Sequence, residues 1–254
     1  QTRINIMASI FTMLPFAVSN AALPQLAATD YELLVNYEPD AWGYWNFGTS
    51  SASLVDLTQG KVLTLAGTAP TYNSTGVVVA GGLNSGLLSE LADGTERTLC
   101  AVIKIPDLST LNGSNVAGNV GDSSGFSMFV HKTSGQYGIL PIVRGGTGIT
   151  GDTFTGLAVG NYVFLAISYT QTGSNKLNKF FGGKLSSSIT SATAKTASAV
   201  KMAFGNIAYS SSTYHAPLEI SEGILYDRAL SLAEIAAVYA RSKTRMATRG
   251  ITVV

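Results

Sequence analysis

From Trp42 onward the chain is a succession of short apolar runs, each cut off by a cluster of Gly, Ser, Thr or Asn. No feature constrains the fold more. A strand needs only a few residues between turns, whereas an amphipathic helix needs a sustained 3.6-residue period. The runs Gly43–Phe47, Val62–Ala66, Val77–Ala80, Arg97–Ile105, Gly125–His131, Tyr137–Val143, Asn161–Tyr169, Lys176–Phe181, Lys201–Ile207 and Leu218–Tyr226 are therefore read as strands. Val77-Val78-Val79 and Tyr162-Val163-Phe164-Leu165-Ala166-Ile167 carry the β-branched and aromatic residues that favour a pleated, half-buried surface. Strands do not alternate with helices and no long repeat recurs, which excludes doubly wound, (β/α)-barrel and solenoid architectures. A two-sheet sandwich or barrel remains.

Composition sharpens this. Charged residues make up 12% of the 254 residues, about half the ordinary share of ~25%. Hydrophobic residues make up 46%, so disorder is excluded. The single cysteine, Cys100, rules out a disulfide scaffold and falls on the strand Arg97–Ile105, where a buried, inert thiol is expected. A formal net charge of +1 supplies no field for a polyanion, so no nucleic-acid partner is expected. So few charges leave open what covers the surface. A homo-oligomer or a larger assembly is the first expectation.

The first 41 residues read as an N-terminal arm. Its apolar residues include Ile4, Ile6, Ile10, Phe11, Leu14 and Phe16. Pro15 interrupts the run, which is shorter than the ~20 residues a membrane-spanning helix requires, so no membrane partner is expected. Such an arm either packs on its own domain as an extra strand or inserts into a neighbour in a shell. Pro24 and Pro39 mark its exit, with a short helical turn over 30–36. Near the other end, Ser231-Leu-Ala-Glu234 is a capping box: Ser231 caps the helix and Glu234 reaches back. Leu232, Ile235, Ala236 and Tyr239 form the apolar stripe of that helix. The domain is expected to end at 240. Arg241, Lys243, Arg245 and Arg249 then fall in a basic tail, 241–254, that complements the helix dipole or bridges to an acidic partner.

The segment Leu218-Glu-Ile-Ser-Glu-Gly-Ile-Leu-Tyr-Asp-Arg-Ala-Leu-Ser-Leu-Ala-Glu-Ile-Ala-Ala-Val-Tyr239 resembles the closing strand and helix of laminin-G-like, concanavalin A-like jelly rolls. Gly43-Tyr-Trp-Asn-Phe47, Thr98–Lys104, Gly160–Tyr169 and Phe180-Phe-Gly-Gly-Lys184 are similar to other family strands, in order. The resemblance spans 42–240. It implies an all-β, antiparallel jelly-roll β-sandwich with a short C-terminal helix over an open end, preceded here by an extended N-terminal arm.

The fold's known chemistries are tested against these residues. Glycosidases of this fold carry acidic residues at alternate positions of one strand; no such triad occurs here. Glu219 and Glu222 are three apart and are expected on opposite strand faces. Glu90, Asp93 and Glu96 read as structural or solvated carboxylates, and no nucleophile elbow accompanies His131 or His215. The chain is therefore expected not to be an enzyme. Relatives that hold calcium use a strand Asp and a preceding Gly, which are Ser221 and Leu218 here. No cofactor is expected, and calcium stands as the unfavoured alternative. Zinc has no ligand cluster. A saccharide would need aromatic platforms and polar groups on exposed loops. Trp42 and Trp45 are candidates, as are Tyr209, Tyr214 and His215 in the polar loop Tyr209–His215, although strand alternation sends one side of the Trp cluster into the core. Small, disulfide-free modules of this family with an arm resemble phage accessory proteins. The leading expectation is thus a virion structural protein contacting capsid or tail subunits; the alternative is an extracellular or tail-borne carbohydrate- or receptor-binding module.

Overall fold

The computed structural model describes residue 38, residues 40–57 and residues 59–254. The arm residues Ile4, Ile6, Ile10, Phe11, Leu14 and Phe16, and the turn over 30–36, lie outside the described residues. The strands are β1 (Gly43–Asn46), β2 (Thr64–Gly67), β3 (Thr71–Tyr72), β4 (Val77–Val79), β5 (Ser85–Leu88), β6 (Glu96–Lys104), β7 (Gly113–Gly118) and β8 (Phe126–Thr133). They continue with β9 (Gln136–Val143), β10 (Asp152–Phe154), β11 (Tyr162–Thr170), β12 (Asn175–Phe181), β13 (Leu185–Ser191), β14 (Ala203–Asn206) and β15 (Leu218–Tyr226). One helix, α1 (Leu232–Thr248), follows.

Each run read as a strand overlaps one of these. Five strands were not expected, β3, β5, β7, β10 and β13; of these β5, β7 and β13 are rich in Gly and Ser, so they look like turns in isolation. They are strands because neighbours on the sheet satisfy their backbone groups, a long-range effect that local composition does not carry.

All pairings between strands are antiparallel, in two sheets. One is ordered β13-β12-β11-β6-β15-β4-β3, with β1 also on β15; the other is ordered β10-β9-β8-β7-β14-β5-β2. This is the jelly-roll sandwich that the resemblance implied. Between the sheets lies a core that includes Leu99, Ala101 and Ile103 of β6, Leu165 and Ile167 of β11, and Phe126, Met128 and Val130 of β8. Trp45, Phe47 and Phe204 interlock there edge to face, at centroid separations of 5.8 and 5.7 Å from Phe204. Gly223 lies opposite Trp45 on β15, and a Cβ there would collide with the Phe204 ring.

The capping box forms as read: Glu234 N–H donates to Ser231 Oγ, and Ser231 N–H to Glu234 Oε2. Three expectations about this region are corrected. First, the helix does not close an open end. It lies on the outer face of the larger sheet, over Cys100, Val102, Phe164, Ala166, Phe180, Ile224 and Tyr226. Second, Ala236 faces solvent, and the buried face is Ile235, Val238, Ser242, Arg245 and Met246. Third, there is no basic tail from 241: the helix runs eight residues further, because Arg241, Arg245 and Arg249 recur every four residues and face the sheet.

The acidic partner of those arginines is the chain itself. Arg245, 1% exposed, donates from Nε to Glu222 Oε1 (2.6 Å) and from Nη1 to Glu38 Oε2 (2.9 Å). Arg241 forks onto Glu38, Tyr226 Oη donates to Glu38 Oε1 (2.8 Å), and Ser242 Oγ donates to Glu222. Burial opposes the charge of Arg245, but Glu222, the Tyr44 ring and Glu38 outweigh it and raise its pKa above the ordinary value. Burial, then the charge of Glu222, pushes the Tyr44 hydroxyl well up.

Glu219 and Glu222 do not point to opposite faces. A register shift between Ile220 and Glu222 adds one residue to β15, so that Glu219 pairs with Lys104 and Glu222 with Val102, both on the helix-covered face. The bulge falls where β15 exchanges β4 for β1 as its neighbour. Arg249 fills that seam, donating to the carbonyls of Ser221 (3.0 Å) and Phe47 (2.5 Å).

Candidate functional site

Among the described residues no helix lies on the outer face of the smaller sheet, and its cover is built differently. Along β8, Phe126, Met128 and Val130 enter the core, which sends Ser127, Phe129 and His131 outward. Phe129 is nevertheless fully buried. The segment 207–217, running from β14 to β15, folds over it and lays Tyr209 and Tyr214 edge to face on its ring, at 5.5 and 5.8 Å. Gly113 on β7, which pairs with His131, makes this approach possible: a Cβ there would stand 2.7 Å from Tyr214 Cδ1.

The loop is fastened through its backbone. The N–H groups of Asn112 and Gly113 donate to the Thr213 carbonyl (2.7 and 3.2 Å), and Ala216 N–H donates to the Gly113 carbonyl (3.1 Å). Ser114 Oγ donates to the Ala216 carbonyl (2.6 Å), and Gly82 N–H to that of His215 (3.0 Å). His215 Nδ1 lies 3.1 Å from the Ser211 carbonyl oxygen. Asn206 brackets the start of the loop by bonding both the N–H and the carbonyl of Tyr209.

Polar groups gather around these rings. The Arg144 guanidinium lies 5.1 Å from the Tyr209 ring centroid, with Nε donating to the Gly121 carbonyl (3.0 Å). Asp122 accepts from Ser210 N–H and Oγ (3.1 and 2.8 Å), and these bonds hold its carboxyl below its usual pKa. Ser212 and Thr213 are exposed at the tip. Two partly buried tyrosines, a guanidinium, a carboxylate and hydroxyls thus share one loop-built surface. This arrangement can stack on an apolar ring face while bonding the hydroxyls around it. His131, further along β8, bonds the Asp152 carbonyl at 3.2 Å, and burial lowers its pKa.

The five candidate binding residues therefore divide. Tyr209, Tyr214 and His215 belong to this loop. Trp42 and Trp45 do not. Trp45 has no exposed surface and serves the core, which corrects its candidacy; Trp42 packs on it at 6.4 Å beneath the Lys61 ammonium. Phe129, Arg144 and Asp122 were not singled out from sequence. An apolar residue in the outward series of β8 was the available sign that something covers that face.

A second concavity, about 220 Å³, lies between the first half of α1 and the end of β15, lined by residues including Asp40, Arg228, Glu234 and Arg241. It is below the roughly 300–1,000 Å³ typical of ligand pockets, and three of its charged side chains are engaged: Arg228 with Glu234 (2.7 Å), Arg241 with Glu38. The carboxylates once weighed for catalysis are likewise committed, Glu219 to Thr75, Tyr162 and Lys104, Asp93 to Lys195. Among the described residues no three His, Cys, Asp or Glu are grouped to hold a metal ion, and no helix is long and apolar enough to cross a membrane.

No family model matches the chain, and no curated protein matches it in sequence. Solved structures do match in fold. The receptor-binding domain of botulinum neurotoxin D superposes with a TM-score of 0.54 at 12% identity, over 80% of this chain and 53% of that one. The type G domain gives 0.55 at 12%, over 80% and 52%. Trypanosoma rangeli sialidase, in complex with 2,3-difluorosialic acid, gives 0.56 at 11%, over 83% of this chain and 34% of the enzyme. The chain spans about half the length of the toxin domains and a third of the sialidase. At such identities the likeness is one of architecture: the protein shares its β-sandwich fold with these receptor-binding domains and with part of that enzyme.

Proposed function

We propose that the chain is a non-catalytic, extracellular saccharide-binding module, reading its ligand with the outer face of the smaller sheet. The observation that carries this is the Tyr209–Tyr214 loop seated on Phe129, with Arg144 and Asp122 beside it. Sugars present apolar C–H faces ringed by hydroxyls, and the loop offers apolar ring faces ringed by hydroxyl, guanidinium and carboxylate. The fold it shares with receptor-binding domains supports a binding module over a shell component. The capsid or tail role rests on the apolar residues of the N-terminal arm, which lie outside the described residues, and the toxin domains and sialidase above lend it no support.

The test is a glycan array probed with the full chain, with calcium and with chelator. Retention of one class of glycan, equal in both conditions and lost in Tyr209→Ala and Tyr214→Ala, is the expected result. Silence across the array from folded protein overturns the reading. Retention only with calcium would place the ligand on a cation and overturn the cofactor-free mode.

A further inference from the structure

The two sides of the sandwich are finished in opposite ways. On one side the end strands are β10 and β13. There Lys179, 2% exposed, turns inward from β12 and crosses to the Asp152 carboxylate on β10 and the Thr150 carbonyl (3.1 Å). β13 reads Leu185-Ser-Ser-Ser-Ile-Thr-Ser191, and its exposed positions are Ser186, Ser188 and Thr190. On the other side the end strands are β2 and β3. From Val62 through Ser89, which takes in both, the chain carries no charged residue.

Among the described residues seven large apolar side chains are exposed, and four of them lie along or beside β2. They are Val55 (41%), Val62 (52%), Leu65 (51%) and Leu83 (55%). Val55 and Val62 face each other across an isolated bridge, Leu65 is within β2, and Asn84, next to Leu83, sits against Gly67 at the strand's end. An end strand exposes a row of N–H and C=O groups, and proteins that must not pair there guard it with Lys, Pro or inward charge. β2, Thr-Leu-Ala-Gly, has none of these.

We propose that β2 is where a second copy of this chain pairs, antiparallel, β2 to β2, so that the smaller sheet continues across a two-fold axis. Two-fold pairing sets each surface against itself, and a charged surface would then meet like charge. The stretch from Val62 to Ser89 carries none, and it offers a charged partner no counter-ion. The pairing also buries the apolar strip, answering what covers so uncharged a surface. It does not depend on the saccharide reading, which concerns the sheet's outer face.

The experiment is sedimentation velocity of the full chain over a concentration series, with amide hydrogen exchange at the two ends of that series. The expected result is a concentration-dependent dimer with exchange at Thr64–Gly67 slowed on association. Leu65→Lys, or Val62→Lys should the first variant fold poorly, should weaken it by roughly a hundredfold, since the axis brings the new lysine against its mate. Val159→Lys, an exposed apolar position elsewhere, should leave the dimer as tight as before. A monomer at every concentration overturns the proposal, as does a dimer indifferent to both Leu65→Lys and Val62→Lys. So does association that slows exchange at residues 4–18 in place of 64–67, which would assign the contact to the arm.

Discussion

The two outer faces of this sandwich are both covered, and the covers differ in kind. Over the larger sheet lies a helix of nearly five turns, held by Arg241, Arg245 and Arg249 reaching down onto Glu38, Glu222 and the Ser221 carbonyl. Over the smaller lies a loop, held by backbone bonds and by two tyrosines leaning on Phe129. The first cover puts charged groups where water cannot reach, so every one of them must be paired. The second leaves its polar groups at the rim, where a ligand can exchange with water. In a chain with few charges, many of them work inside: Glu38, Asp56, Lys179, Lys195, Glu222 and Arg245 are all buried. The lesson is that the helix face stabilises the molecule while the loop face remains free to act.

The sharpest way to break this contrast is Arg245→Ala. It takes its cation from Glu222, leaving it the Ser242 hydroxyl, and one of two cations from Glu38; neither carboxylate has any exposed side-chain surface, and loss of one partner from a buried pair costs about 3–5 kcal/mol. Chemical denaturation should show a loss of that order, and retention of any glycan ligand by the folded fraction should not change. Arg245→Lys should recover little, because one ammonium cannot serve Glu222 from Nε and Glu38 from Nη1 together. A variant as stable as the parent would mean that the helix is held by its apolar contacts alone. Next in size is Tyr214→Ala, which removes one edge-to-face contact and should cost about 0.5–1.5 kcal/mol beyond its lost burial. Here the contrast predicts the reverse pattern, a modest stability change with loss of glycan retention.

How much of this could be read from the sequence depended on how far apart the cooperating residues lie. The strand–turn–helix from Leu218 to Tyr239 was legible because its cues are local: a strand, a capping box, an apolar stripe. Most β strands were legible for the same reason. The bulge at Ser221 was not, since it arises where β15 changes partner from β4 to β1, a property of three separated segments. It put Glu219 and Glu222 on one face, against simple alternation. The four-residue spacing of Arg241, Arg245 and Arg249 was in plain view, but without Glu38 and Glu222 to face, it read as a tail. In the candidate site, composition picked out Tyr209, Tyr214 and His215 because one polar loop holds them all. Phe129, Arg144 and Asp122 meet them only through the register of β7, β8 and β9. Trp45 was misplaced for the opposite reason: aromatic residues suit a sugar platform and a core equally well, and the pairing of Trp45 with Gly223 decided for the core.

The smallest expected effect is also the one that separates the faces by pH. His131 belongs to the smaller sheet and bonds the Asp152 carbonyl, with Thr133 Oγ1 3.3 Å from its other ring nitrogen. Burial, partly opposed by that bond and by the Asp152 charge, lowers its pKa from 6.5. The unfolded chain therefore takes up the proton before the folded one does. Stability from the neutral ring is full above the ordinary histidine range and declines as pH falls through it towards the depressed folded value. The helix face begins to respond only at lower pH. There Glu234, brought down to about 2 by the Ser231 N–H, the Arg228 guanidinium and the Ser231 hydroxyl, contributes above its unfolded value of 4.5 and is lost as pH falls towards 2. Glu234 is 44% exposed, so solvent screening keeps that contribution small. Thermal unfolding followed from pH 7.5 to 5.5 should show a shallow decline that His131→Gln flattens and Glu234→Gln leaves alone. A decline that survives His131→Gln would remove the histidine from the account and with it the claim that the two faces answer to different protons.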